Sequence, residues 1–261
     1  MSSDNGSGLG LGSGLGLGLG LGAPMQPAAG VLVLSASRIR DFLACRRRFF
    51  LAHVVKVPSQ DNDSDASFLG RAVHEELHAR HQLADRHDEP GIVGANVPSD
   101  PFITQGVTSH LALCPSTNSS EAVYVGGEVD LRWLMRSKNV LLTGRGDALW
   151  KYPDGTLEVR DYKTGRCPDS LESDLPAAIY LLLAATHPSR PPRVRVTYER
   201  LAQAPSIVTQ DGTPALLADT IERIKVIADR IRKERSFDAT DQSYQCESCA
   251  YSEVCPASKA R

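Results

Sequence analysis

Apolar residues recur along this chain with two periods, and the period changes from segment to segment. Ile39, Phe42, Leu43 and Phe49-Phe50 fall at helical spacing. They follow Ser35-Ala36-Ser37, whose serines suit a helix N-cap, and Pro58 closes the segment. Val31–Leu34 reads as a short apolar lead into that helix. A second helix is expected over Ser67 to Ala84, with Leu69, Val73, Leu77 and His81 on one face. Between 85 and 120, frequent Pro, Gly, Ser and Asn imply loops with one short helix near Gly106–Leu113. Three strand-like runs follow, Ala122–Met135, Val140–Lys151 and Leu157–Tyr162, with turn signals at Asn139 and Pro153-Asp154-Gly155. Ala177–Ala185 is a mostly apolar helix stopped at Pro188, Arg193–Glu199 a strand, and Ser206–Thr209 a weaker one. Pro214–Glu234 is a long amphipathic helix with Leu217, Ile221, Ile224 and Ile227-Ala228 inward. Helices, meander, helix, strand, helix: this order predicts an α/β fold with a mixed central sheet flanked by helices.

Composition bounds that picture. Residues 1–30 are Gly/Leu-rich and too costly in backbone entropy to fold alone, so a disordered tail is expected before a single domain at 31–261. The tail has no basic n-region and no continuous apolar run, so neither a signal peptide nor a membrane span is expected. Six cysteines are too few for a disulfide scaffold, and a reducing cytoplasm is the default. A net charge of −2 does not advertise a nucleic-acid binder. The basic residues are nevertheless clustered, at Arg38, Arg40 and Arg46–Arg48 and again at Arg190, Arg193, Arg195 and Arg200. Such patches serve either as phosphate contacts or as ordinary solvated faces.

Two groups of residues carry chemistry. Cys246-x2-Cys249-x5-Cys255 has metal-ligand spacing, and Cys45 lies far upstream. Four thiolates suit an iron–sulfur cluster or a structural zinc; the run supplies three, so a distant partner is required. Cys114 and Cys167 are left over and read as incidental. The second group is acidic. Gly146-Asp147 lies on the second meander strand and Asp161-Tyr162-Lys163-Thr164-Gly165 ends the third. Adjacent antiparallel strands bring Asp147 and Asp161 together, a pairing that a divalent cation relieves of its repulsion. Lys163, two residues on, shares the face of Asp161. Gly70-x-x-x-His74 adds an imidazole from a helix, although His78 and His81 are equally available to composition alone. The competing reading is a hairpin with solvent-facing charges.

Together these motifs resemble the RecB-like nucleases of the PD-(D/E)XK superfamily, over nearly all of Leu34 to Pro256. Leu34-Ser35-Ala36-Ser37-Arg38 with Phe42 and Cys45 is similar to the family's opening helix, and Gly70–His74 to its histidine motif. Gly146-Asp147 and Asp161–Gly165 are similar to its two acidic motifs. The resemblance implies a restriction-endonuclease-like core and a DNA exonuclease, acting in repair or recombination or in CRISPR adaptation. It implies Mg2+ or Mn2+ on His74, Asp147, Asp161 and the Tyr162 carbonyl, with Lys163 as the catalytic lysine. It also implies a [4Fe–4S] clasp on Cys45, Cys246, Cys249 and Cys255, as in AddB-type and CRISPR-associated RecB-like nucleases, with zinc as the alternative. DNA would be the substrate, with a helicase or a CRISPR adaptation complex as partner. The chain departs from the family pattern at Pro176, where a glutamine precedes Tyr180 by four, and at Arg46, where proline often follows the cysteine. A DNA-binding module that has lost catalysis is therefore the second expectation.

Overall fold

A computed structural model describes residues 30–59, 65–82, 100–118, 122–202, 204–247 and 249–259. The expected tail, apart from Gly30, and the expected loops at 85–99 lie outside the described residues. The chain forms a mixed six-stranded sheet with helices on both faces. Its elements are β1 (Leu32–Leu34), α1 (Ala36–Ala44), α2 (Arg46–Phe49), α3 (Asp65–Gln82), α4 (Pro101–Leu113), β2 (Val123–Met135), β3 (Val140–Lys151), β4 (Thr156–Lys163), α5 (Leu175–Ala185), β5 (Arg193–Arg200), β6 (Ser206–Asp211) and α6 (Pro214–Lys233). Among the described residues no helix is long and apolar enough to cross a membrane.

Three segments differ from the sequence expectation. Val31–Leu34 is not merely a lead, because Leu32–Leu34 pairs in parallel with Val140–Leu142. A three-residue strand carries no periodicity of its own, so only its partner defines it. The opening helix is broken at Cys45, whose extended backbone caps both halves, and it continues as a π-helical turn over Phe50–Val54. The short helix near Gly106–Leu113 begins five residues earlier, at Pro101. Its start is set by Asp100, which accepts from the Phe102 and Ile103 amides, and by proline at the first helical positions.

β3 and β4 contribute to two cores, one on each face of the sheet. Leu142, Leu149, Leu157 and Val159 face α1, α5 and α6, and Ala148, Trp150 and Tyr162 face α3 and α4. Burial on both faces explains why β4 is almost continuously buried rather than half wet. The order across the sheet is β1-β3-β4-β5-β6, with β2 on the other edge of β3. β1 pairs with residues 140–142 of β3 and β4 with residues 148–151. Residues 143–147 therefore lie in a fork between β1 and β4. β2 runs along their other side, paired from Met135↔Val140 to Val123↔Lys151 with a shift of register between Tyr124 and Gly126. Buried backbone groups need partners, and side chains supply two here. Tyr180 Oη donates to the Arg145 carbonyl at 2.6 Å, and the Tyr162 amide donates to Asp147 Oδ2 at 2.6 Å.

Candidate active site

The fork gathers the acidic constellation. Asp147 lies in it, and β4 delivers Asp161 and Lys163 from the adjacent strand. The interval of two puts both β4 side chains on one face, and Lys163 Nζ sits 2.7 Å from Asp161 Oδ1. From the opposite face, α3 brings His74. A Cβ at Gly70 would stand 2.8 Å from Thr164 Oγ1, so the helix comes close to the end of β4 here, and a larger residue would have to turn the threonine hydroxyl aside. One turn later His74 Nδ1 lies 3.3 Å from Asp147 Oδ1.

Glu128 on β2 is a member that sequence reasoning missed. Its backbone takes a left-handed φ of 51°, which costs a non-glycine residue of order 1 kcal/mol. It falls between the paired residues Gly127↔Ala148 and Val129↔Gly146, opposite Asp147. The ligand atoms of His74, Glu128 and Asp147 lie within 4.8 Å of one another. Two carboxylates and an imidazole at this separation form an oxygen-rich donor set for a hard divalent cation. The only sequence hint was Gly126-Gly127 ahead of it, and the register needed to face it to Asp147 is not written in the strand itself.

Electrostatics fit a site built for a cation. Burial pushes the Asp161 carboxyl up to about 6; Asp147 adds to this, and Lys163 and His74 work against it. Burial disfavours a charged His74, but its hydrogen bond with Asp147 and the charges of Asp147, Asp161 and Glu128 outweigh that and raise it above its ordinary value. In both cases negative charge is crowded without full compensation.

Lys163 is held from a second side by Tyr198, whose ring centre is 4.3 Å from Nζ. Tyr198 in turn donates to Asp174 Oδ1 at 2.8 Å, and the same carboxylate caps α5 through the Ala177 amide. Pro176 occupies the first turn of α5, where its missing amide costs nothing. A groove of about 710 Å3 runs along Lys163 and Asp161, past Pro176 and Tyr180, with Arg40, Arg145 and Arg166 in its wall. Of the first basic cluster, Arg46 and Arg48 pair with Glu234 and Asp41, while Arg40 reaches this groove. Arg193, Arg195 and Arg200 of the second cluster pair with Asp154, Asp211 and Asp169.

The histidines separate clearly. His78 lines the wall beside His74, whereas His81 lies in the core beneath α3. None of the six cysteines is in a disulfide. Cys45, Cys246, Cys249 and Cys255 line one cavity, while Cys114 and Cys167 lie elsewhere. Burial raises the Cys249 thiol, and nearby Cys45 and Cys255 add to it. The C-terminal segment also docks by other means. Phe237 stacks on Phe49 at 6.4 Å, and the Arg47 amide donates to the Asp238 carbonyl.

No curated protein matches the chain. Among solved structures, one named SSO0001 aligns over 87% of this chain and 86% of its own, at 16% identity and a TM-score of 0.39. A protein from Eubacterium rectale, provisionally named an exonuclease, aligns over 89% of both chains at 10% identity and a TM-score of 0.49. The model of the PD-(D/E)XK nuclease superfamily matches residues 33–256, a span that runs from within β1 to just past the last cysteine and holds every residue of the fork. The chain belongs to the PD-(D/E)XK nuclease superfamily.

Proposed function

We propose that the chain is a Mg2+- or Mn2+-dependent DNA exonuclease of the RecB-like type. The observation that carries this reading is the convergence of His74, Glu128 and Asp147 beside the Asp161–Lys163 pair. The donor set fits a hard cation, held by His74, Asp147, Asp161 and the Tyr162 carbonyl, with Glu128 as an added carboxylate. Such an ion supplies Lewis acidity at the scissile phosphate. Lys163, fixed between Asp161 and the Tyr198 ring, offers an ammonium to a phosphoryl oxygen and orients the attacking water. Water adds to phosphorus, the P–O ester bond breaks, and the leaving oxygen takes a proton. Arg40 and Arg166 in the groove wall meet the DNA backbone as phosphate contacts. A role in repair or recombination follows from the same reading, with a helicase or a CRISPR adaptation complex as partner.

The test is digestion of end-labelled single- and double-stranded DNA with Mg2+ or Mn2+, with closed circles as control. Release of end label is expected, with loss of activity in Asp161→Ala and Lys163→Ala. Cleavage that survives both changes removes the assigned site, and cleavage of closed circles removes the exonuclease reading. Pro176 favours a second reading, a DNA-binding module without catalysis. Metal-independent binding with no cleavage by the wild-type chain would select it.

The same reading assigns Cys45, Cys246, Cys249 and Cys255 to a [4Fe–4S] clasp that ties the C-terminus to α1 and α2. Their shared cavity, with none of them in a disulfide, supports it, and a reducing cytoplasm suits them. Anaerobic purification distinguishes the metals. A brown protein with broad blue absorption is the expected outcome; a colourless zinc-containing one would assign zinc.

A further inference from the structure

A second convergence of metal-ligating atoms lies beneath the fork, in the core between α3, α4 and β4. His81 is in the last turn of α3, His110 in the last turn of α4, and Cys114 is the residue that ends α4. All three are buried, at 4%, 1% and 0% exposure. Their ligand atoms lie within 4.8 Å of one another. The two Nε2 atoms face each other at 3.0 Å with ring planes 84° apart. Tyr162 Oη, 3.3 Å from His81 Nε2, is a fourth heteroatom at the same centre.

The surroundings orient these groups as a ligand set. His110 Nδ1 lies 2.7 Å from Glu199 Oε1, and Glu199 is held by Arg160 at 2.7 Å through its other oxygen. A carboxylate on Nδ1 orients the ring with Nε2 facing His81, the arrangement found behind metal-bound imidazoles. Burial disfavours a charged His110, but the Glu199 carboxylate outweighs that and raises it to about 9, so a metal on Nε2 would displace a proton. On a tetrahedral zinc, with Zn–N near 2.05 Å, two imidazole nitrogens sit about 3.3 Å apart, close to the spacing seen here.

We propose that His81, His110 and Cys114 bind a structural zinc ion, chemically distinct from the hard-cation site above it. Two imidazoles and a thiolate select a borderline-soft metal rather than Mg2+. The centre bolts α3 to β4 at the level of the active site. His81 is two turns from His74 on one helix, and Tyr162 joins the centre through its hydroxyl while its amide holds Asp147. The site is thus a positioning device, and its members touch no substrate.

The experiment loads the full-length chain with Zn2+ anaerobically, dialyses it against buffer containing Mg2+, and counts zinc per chain by mass spectrometry. Cys114→Ser and His81→Gln are each expected to bind one equivalent fewer than wild type, while Cys246→Ser leaves this equivalent in place. Wild-type zinc content in both core variants would overturn the proposal. If circular dichroism shows either variant to be unfolded, zinc-edge absorption on Cys246→Ser, in which the four-cysteine set is broken, decides. A shell with imidazole back-scattering and about one sulfur supports the site; an all-sulfur or all-oxygen shell, or no zinc, overturns it.

Discussion

Lys163 is the side chain whose surroundings specify most. Asp161 neutralises it in the plane of the strand, and the Tyr198 ring covers it from the neighbouring strand, so the ammonium has one direction left, into the groove. A cation–π contact at a buried site contributes roughly 1–2 kcal/mol. Tyr198→Leu should therefore lower the cleavage rate about tenfold, since ~1.4 kcal/mol is a factor of ten. Tyr198→Phe keeps the ring and should stay within about threefold of wild type in the same single-turnover assay. Equal losses in the two variants would assign Tyr198 a packing role only. Asp161 gives a pH prediction. Its native pKa of about 6 stands above its unfolded value, so the native state holds the proton more tightly. The metal-free fold therefore loses stability as pH rises from about 4 towards 6, and the cost persists above that. Asp161→Asn removes this cost and should raise the melting temperature of the metal-free protein at pH 7.5 while abolishing cleavage. Metal binding runs the other way. It requires deprotonated Asp161 and His74, both raised, so the thermal shift caused by Mg2+ should shrink as pH falls below about 6. A Mg2+ shift as large at pH 5 as at pH 7.5 would place the ion elsewhere.

At the scale of elements, the fork in β3 is what turns a sheet into a site. Strands paired along both edges have no room for a ligand; β3 loses its partner between β1 and β4 and fills the opening with Tyr180 and the Tyr162 amide. Gly144 belongs to this device. A Cβ there would meet Leu183 Cδ1 at 2.8 Å and the Tyr180 ring at 3.2 Å, so α5 packs directly onto the backbone of the fork. Gly144→Ala is expected to destabilise the protein by about 1–3 kcal/mol through overpacking, read as a lower midpoint in urea. A midpoint unchanged from wild type would mean that α5 yields at no cost. Much at this scale was legible beforehand. The meander, α5 and α6 followed from period and turn residues, because long periodic segments leave little choice of structure. β1 and the first half of α4 did not. A strand of three residues has no period, and Asp100-Pro101, although a proper helix start, sat in a stretch whose composition read as loop.

For the whole molecule, the segment around Cys45 and the one after α6 meet at the four-cysteine cavity, and aromatic packing holds them there. Phe237, 7% exposed, lies against Phe49 and Phe50 despite a left-handed φ of 46°, a strain that its packing offsets. Phe237→Ala should cost about 3–5 kcal/mol and free the C-terminal segment to early proteolysis. A protease-resistant C-terminus in that variant would show that the thiolates alone suffice. Sequence alone determined the α/β class, the placing of Asp147 and of the Asp161-x-Lys163 pair on adjacent strands, and the cysteine spacing. Each of these is local: a period, a turn, or an interval of two or four residues that backbone geometry converts directly into a shared face. Tertiary structure decided the rest. Glu128 joins the site only through the β2–β3 register, and Tyr198 only because β5 lies beside β4. Of three equivalent histidines on one helix, packing sends His74 to the carboxylates and His81 to His110 and Cys114. Those last partners stand 29 and 33 residues away along the chain, and no local pattern can pair side chains whose meeting depends on how two helices dock onto a common sheet.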